Sequence, residues 1–88
     1  MEEIEYAILE LLIFPEGFES IVEECRVKAG RHVIGDVLKQ LLHDEYVGPF
    51  LKNEQGDFER SLGYDSDFLD GYYFQITSKG LKALESQA

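Results

Sequence analysis

The spacing of apolar residues changes twice along this 88-residue chain, and no other feature constrains the fold as strongly. Up to Leu42, apolar residues recur every three or four positions, which is typical of amphipathic helices. After Tyr46 the interval becomes two, as in strands with one buried face. From Thr77 the spacing is helical again, with Leu81 and Leu84 on one side. The order of these periods predicts helices, then strands, then a closing helix.

Three helices are predicted before the first change, at about residues 2–14, 19–28 and 31–45. The first cannot continue past Phe14, since the proline that follows disfavours helical geometry there. Its apolar residues follow the i, i+3, i+4, i+7 template: Ile4, Ala7, Ile8, Leu11 and Leu12. The third helix repeats the same template from Ile34 onward and should present a polar face to solvent.

An antiparallel pair of strands, "YVGPFLK" and "GYYFQI", is predicted next, within a wing spanning residues 46–76. Pro49 favours an edge position for the first strand, because proline cannot donate to a ladder. The connection between the strands, 53–70, is too long for a tight hairpin. Within it, Asp57 is a candidate cap for a helical turn that ends at Gly63. The apolar residues of this connection should either fold back onto the body or contact a partner.

The closing helix is predicted over 77–87, with the Thr77 hydroxyl accepting a bond from a backbone NH of the first turn. Gly80 in that turn lowers helix propensity, so it is expected to mark a close approach of two backbones. The whole chain, 1–88, is therefore expected to form one α+β domain.

Charge is distributed unevenly. Eighteen acidic and eight basic residues give a net charge of -10, which repels nucleic acids and anionic membranes at long range. Positive charge is concentrated in residues 25–43, where Asp36 is the only acid beside four bases: Arg26, Lys28, Arg31 and Lys39. The connection 53–70 holds six acids against Arg60 alone and would oppose a phosphate backbone.

Signals of chemistry are weak. His32 and His43 lie eleven positions apart with no pattern of acids or cysteines near them, so neither a metal nor another cofactor is expected. "DSDFLDG" fails as a calcium loop, because Asp70 falls where such a loop needs glycine. No Ser-His-Asp or Cys-His order and no glycine-rich phosphate loop occurs. An enzyme is not expected.

Cysteine usage and hydropathy indicate the compartment. Cys25 is the single cysteine, which rules out an internal disulfide and favours a small buried side chain over a reactive thiol. No apolar run is long enough to span a membrane, and the N-terminus is acidic where a signal peptide would be basic. A cytoplasmic protein without a membrane partner is expected.

Three segments resemble winged-helix transcriptional regulators of the PadR and MarR types. "YYFQITSKGLKAL", Tyr72 to Leu84, is similar to the end of their wing and the start of their C-terminal helix. "LKQLLHDEYV" resembles the end of their recognition helix, and "AILELL" resembles the opening helix of PadR-type domains. The resemblance implies a winged helix: a three-helix helix-turn-helix core, a two- or three-stranded antiparallel wing and a C-terminal helix.

Two positions depart from that resemblance. Glu45 stands where these families usually have glycine, so the turn after the third helix is expected to be built differently. The wing is acidic, whereas DNA-binding members usually have a basic tip.

Two functions are compatible with these patterns. The resemblance implies a DNA-binding regulator that reads double-stranded DNA with its third helix, and the expected DNA contacts are Arg26, Lys28, Arg31, His32, Lys39, Gln40 and His43. Alternatively, the protein is an acidic interaction or oligomerisation module that does not bind DNA. Its expected partner contacts are Tyr6, Leu9, Ile13, Phe58, Leu62, Phe68 and Leu69. The resemblance also implies a homodimer, because DNA-binding winged helices of this kind commonly dimerise, and its two-fold interface is expected on the second apolar face of the first helix or on the closing helix.

Overall fold

A computed structural model describes residues 1–87. Over that range the chain forms, in order, α1 (Glu3–Leu11), β1 (Glu16–Gly17), α2 (Phe18–Glu24), α3 (Arg31–His43), β2 (Val47–Lys52), β3 (Phe58–Arg60), a 3₁₀ turn (Leu69–Gly71), β4 (Tyr73–Ile76) and α4 (Ser78–Glu85). The predicted α+β class is confirmed. Ala88, the last residue of the predicted domain, lies outside the described residues. Between Met1 and Gln87 no helix has the length and apolar character needed to cross a membrane.

The first two helices are shorter than predicted. At the start of α1 the side chain of Glu5 accepts a hydrogen bond of 2.9 Å from the backbone NH of Glu2. At its end the carbonyl of Leu12 accepts a bond of 2.8 Å from the backbone NH of Ile76, which ties the chain to β4. The link that follows forms β1, a strand too short for any spacing to reveal. The second helix ends at Glu24 and not at residue 28.

The turn after α3 uses the left-handed conformation. Glu45 has φ 65°, the value that usually favours glycine. The NH of Tyr46 donates to the carbonyl of Leu41 at 2.9 Å, and the NH of Glu45 donates to the carbonyl of Leu42 at 3.1 Å. This is the bonding pattern of a Schellman motif. The expectation that Glu45 would force a differently built turn is wrong.

The sheet has four antiparallel strands within the described chain, in the order β1-β4-β2-β3. The prediction that Pro49 lies on an edge strand is wrong, since β2 has β4 on one side and β3 on the other. The carbonyl of Pro49 accepts from the NH of Ser61, one residue beyond the end of β3. The missing NH of the proline therefore faces the point where β3 stops.

The predicted helical turn at residues 57–63 is also wrong, because Phe58–Arg60 forms β3. Its hairpin with β2 is closed by Asn53, whose side-chain oxygen accepts from the NH groups of Gln55 and Asp57 at 3.0 and 2.9 Å. Gly56 in this turn has φ 86°. The segment predicted as a wing therefore contains a third strand, and residues 61–72 form a separate segment that we call the acidic loop.

The core lies between the helices and one face of the sheet. Phe74 is fully buried and Tyr72 and Ile76 pack against the core, as their alternation predicted. The largest fully buried side chains are Phe74, Ile8, Leu9, Leu12, Ile21, Ile34, Leu38, Leu41 and Val47. The inward faces predicted for α1 and α3 are thus confirmed.

The start of α4 is joined to the end of α3. The Thr77 hydroxyl accepts from the NH of Gly80 at 3.1 Å, as predicted, and donates to the carbonyl of Glu45 at 2.7 Å. A Cβ on Gly80 would overlap the carbonyl oxygen of Tyr46. The predicted close approach of backbones at Gly80 is therefore confirmed, and it fixes α4 against the α3–β2 turn.

Candidate interaction surfaces

Two of the predicted DNA-contacting cations form ion pairs with carboxylates of this chain. Arg26 follows α2, and its Nη1 lies 3.0 Å from Oε1 of Glu23. Lys28 Nζ lies 3.0 Å from Oε1 of Glu3 at the start of α1, 25 positions away in the chain. Folding therefore places acidic residues of α1 and α2 against the basic segment.

Arg31, the first residue of α3, is held more tightly. Its two terminal nitrogens donate to the two carboxylate oxygens of Glu19, each at 2.6 Å, and its guanidinium lies 4.9 Å from the ring centre of Phe18. The hydrogen bond from Arg31 lowers the pKa of Glu19, and the same bond, aided by the charge of Asp70, raises the pKa of Arg31. This two-point pairing satisfies the end of the side chain that would otherwise contact a phosphate.

The acidic loop lies across a cleft from the exposed face of α3. One wall of the cleft is formed by Arg31, His32, Asp36 and Lys39 of α3, and the other by Asp67 and Asp70. The loop is anchored there because Leu69 is buried in the core beside α2. A DNA backbone approaching the first turns of α3 would therefore meet carboxylates.

The predicted DNA contacts of α3 other than Arg31 are spread along the helix from its second residue to its last. His32, Gln40 and His43 are exposed and Lys39 is half-buried. Gln40 donates to the side chain of Asp44 at 3.1 Å. The seven predicted residues do not come together: Lys28 faces α1, whereas Arg31 and Lys39 face the acidic loop.

The predicted homodimer face on the first helix is not a continuous surface. Leu9 is fully buried in the core, and Tyr6 is half-buried. Ile13 is exposed, but it lies beyond the end of α1. Apolar residues on two sides of the helix predict a partner face that includes Leu9, but its side chain contributes to the core instead.

The four predicted partner contacts in the wing differ in exposure. Leu62 is fully exposed, Phe68 is 63% exposed and Phe58 is 38% exposed. Leu69 is only 7% exposed and packs in the core, so its assignment to a partner surface is wrong. The half-buried Tyr64 also packs against the core. The acidic loop is thus held by Tyr64 and Leu69 while Leu62 and Phe68 point outward.

A further surface was not predicted from the sequence. On the sheet face away from the core, cross-strand pairing places Phe50 opposite both Tyr73 and Arg60, and Lys52 opposite Phe58. We call these five residues the outer sheet face. The rings of Phe58 and Tyr73 meet edge to face at 5.0 Å, and Lys52 Nζ lies 5.6 and 6.0 Å from their centres. The alternation of β2 places Phe50 and Lys52 on the same face of the strand. The sequence did not predict that Phe58 and Arg60 join them, because it predicted a helical turn where β3 forms.

Potential metal ligands and the single thiol can be located in the described chain. Among residues 1–87, no three His, Cys, Asp or Glu side chains are grouped so that they could hold a metal ion. Cys25 is buried, and that burial, with the charge of Glu24, raises the pKa of its thiol. A raised pKa disfavours the nucleophilic thiolate.

Comparisons with known proteins do not indicate a function for this chain. No protein-family model, no curated protein and no solved structure matches the chain.

Proposed function

We propose that this protein is a winged-helix interaction module that docks on other proteins through its wing. The element order supports the fold: three helices, an antiparallel wing whose strands follow the third helix, and a closing helix. The same order occurs in regulators that read DNA, but a fold of this kind also serves in protein binding, so the surfaces decide the function.

The observation that carries the proposal is the exposure of Leu62 and Phe68. A single exposed apolar residue needs no explanation, but here two large ones lie in a loop in which Leu69 is buried in the core and Tyr64 packs against it. Their outward positions are therefore fixed by the fold. Protein interfaces commonly have an aromatic anchor surrounded by polar groups. Phe68 stands between Asp67 and Asp70, which favours a partner with a basic surface.

The arrangement of charge supports a protein partner over DNA. Arg26, Lys28 and Arg31 each bind a carboxylate of this chain, and Asp67 and Asp70 face the start of α3. DNA affinity depends on cations that neutralise phosphates, and each carboxylate near the contact opposes it. The net charge of -10 adds long-range repulsion.

DNA binding is the second candidate, and the exposed face of α3 favours it. This face holds Lys39, Gln40 and His43. Among the described residues, no carboxylate forms an ion pair with Lys39. The exposed ion pairs elsewhere are weak enough for a phosphate to compete with them. The resemblance to PadR- and MarR-type regulators supports the same function.

Site-specific photo-crosslinking in the cells that express the protein tests the proposal. A photoreactive phenylalanine analogue replaces Phe68, and the control places it at Val27, which is 87% exposed and lies outside the wing. We expect discrete crosslinked proteins from position 68 and none of them from position 27. Equal crosslinking from both positions, or none from position 68, would contradict the proposal.

A further inference from the structure

On the outer sheet face, two cationic side chains lie over aromatic rings. Arg60 Cζ lies 5.8 Å from the ring centre of Phe50, and Lys52 lies over Phe58 and Tyr73. Neither cation lies within 4.0 Å of a carboxylate oxygen of residues 1–87, in contrast to Arg26, Lys28 and Arg31. Although the protein has eighteen acidic residues, the two cations of the outer sheet face have no carboxylate partner among residues 1–87.

The position of Arg60 is built into the sheet. Gly48 lies beneath its guanidinium, and a Cβ on Gly48 would be only 2.6 Å from Arg60 Cζ. The guanidinium and the Phe50 ring therefore share a space that glycine leaves open. Cations held over aromatic rings keep their outward side available for an anion.

Charge determines what this face can bind. Two copies meeting face to face would bring Lys52 and Arg60 of both copies together, and four like charges in one contact are unfavourable. The occupant must instead be acidic and have apolar groups to cover the rings. The acidic loop has both, with Asp65, Asp67 and Asp70 beside the exposed Leu62 and Phe68. In its own chain that loop is anchored over α3 by Leu69.

We propose that the outer sheet face binds the acidic loop of a second copy of this chain, head to tail. The inference rests on the proposed function, since it gives Leu62 and Phe68 their partner surface. Each copy then has one loop to offer and one sheet face to fill. A contact of this kind joins unlike surfaces, so it either closes reciprocally into a two-fold dimer, in which each loop fills the other copy's sheet face, or extends into a ring or an open chain of copies.

Sedimentation velocity on paired variants tests this directly. The face variant Lys52→Glu/Arg60→Glu removes the cations, and the loop variant Leu62→Ser/Phe68→Ser removes the apolar anchors. We expect the wild-type chain to associate with rising protein concentration and less so at high salt, and each variant alone to have a dissociation constant raised at least about tenfold. Circular dichroism checks that both variants are folded.

The decisive sample is the equimolar mixture of the two variants. One variant keeps an intact loop and the other an intact sheet face, so the mixture retains one working contact and should form a heterodimer that grows no further. The control Arg26→Glu/Lys82→Glu makes the same change in net charge on exposed residues away from both surfaces and should associate as the wild type does.

Three results would overturn the proposal: a wild-type chain that stays monomeric at all concentrations, association that survives in the face variant, or a mixture that stays monomeric while the wild type associates. Crosslinks from position 68 to a different protein, with a monomeric wild-type chain, would leave the proposed function standing and refute only this inference. Crosslinks from position 68 to a second copy of the chain would support both.

Discussion

Arg31 and Glu19 are joined by two hydrogen bonds, each of 2.6 Å, between the guanidinium fork and both carboxylate oxygens. The residues are twelve positions apart and belong to different helices. Arg31 is the first residue of α3, the helix expected to contact DNA. Its partner Glu19 comes from the acidic first quarter of the chain. The pair therefore links α2 to α3 and occupies a guanidinium that was expected to contact a phosphate.

The pair predicts a pKa change. Because Arg31 stabilises the charged form of Glu19, Arg31→Gln should raise the pKa of Glu19 toward its ordinary value of 4.5. The stability gained from the pair is present above that value and lost as pH falls through the lowered pKa, so the wild type and the variant should converge in acid. NMR titration of the Glu19 carboxyl carbon in both proteins measures the shift. Identical titration curves would show that the pair does not form in solution.

Gly80→Ala should destabilise the protein by about 3 kcal/mol, because the added methyl group has to displace the backbone carbonyl of Tyr46. Urea denaturation measures the loss. The control is Gly63→Ala, since a Cβ at Gly63 meets nothing within 4 Å, and its effect should stay within about 0.5 kcal/mol. Equal effects of the two changes would contradict the close approach at Gly80.

Glu45→Gly should stabilise the protein by about 0.5–1 kcal/mol, since glycine removes the left-handed penalty at φ 65° and gives back part of the gain as chain entropy. Glu45→Ala is the matched control: it removes the same side chain but keeps the penalty. Thermal unfolding should rank glycine above the other two. If Glu45→Ala were equally stabilising, the gain would come from removing the charge and not from the backbone conformation.

Leu69→Ala should cost about 2–4 kcal/mol, because Leu69 is buried in the core and anchors the acidic loop. Leu62→Ala removes the same atoms from a fully exposed site in the same loop, so it should change stability by less than about 0.5 kcal/mol. Chemical denaturation of both variants separates the anchor from the exposed surface. A large effect at Leu62 would show that this residue also packs on the body.

Local signals were sufficient for much of the fold. The spacing of α3 and the alternation of β4 are properties of short segments, and the cap at Thr77 and the glycine at position 80 need only their own turn. β1 and β3 were missed because two- and three-residue strands depend on partners elsewhere in the chain. Phe58 and Leu62 have helical spacing, but pairing with β2 overrides that weak preference.

The site was harder to predict for the same reason. The sequence separates eight acids in residues 1–24 from the basic segment 25–43, and this separation suggested a basic surface. Folding then packs α1 and α2 beside that segment, so Glu3 and Glu19 reach Lys28 and Arg31. Ion pairs between residues on different helices cannot be read from the order of charges along the chain. The outer sheet face likewise depends on a strand register that the spacing did not reveal.

The central claim is that the protein docks on proteins and does not read DNA, and fluorescence anisotropy on a pool of random DNA duplexes at low salt tests it most directly. Non-specific binders have dissociation constants of about 1–100 μM even at physiological salt. The account predicts no binding by the wild-type protein over that concentration range at low salt, and no difference between it and Lys39→Glu. Binding that weakens steeply with salt and is reduced by Lys39→Glu would contradict the claim and assign the function to α3.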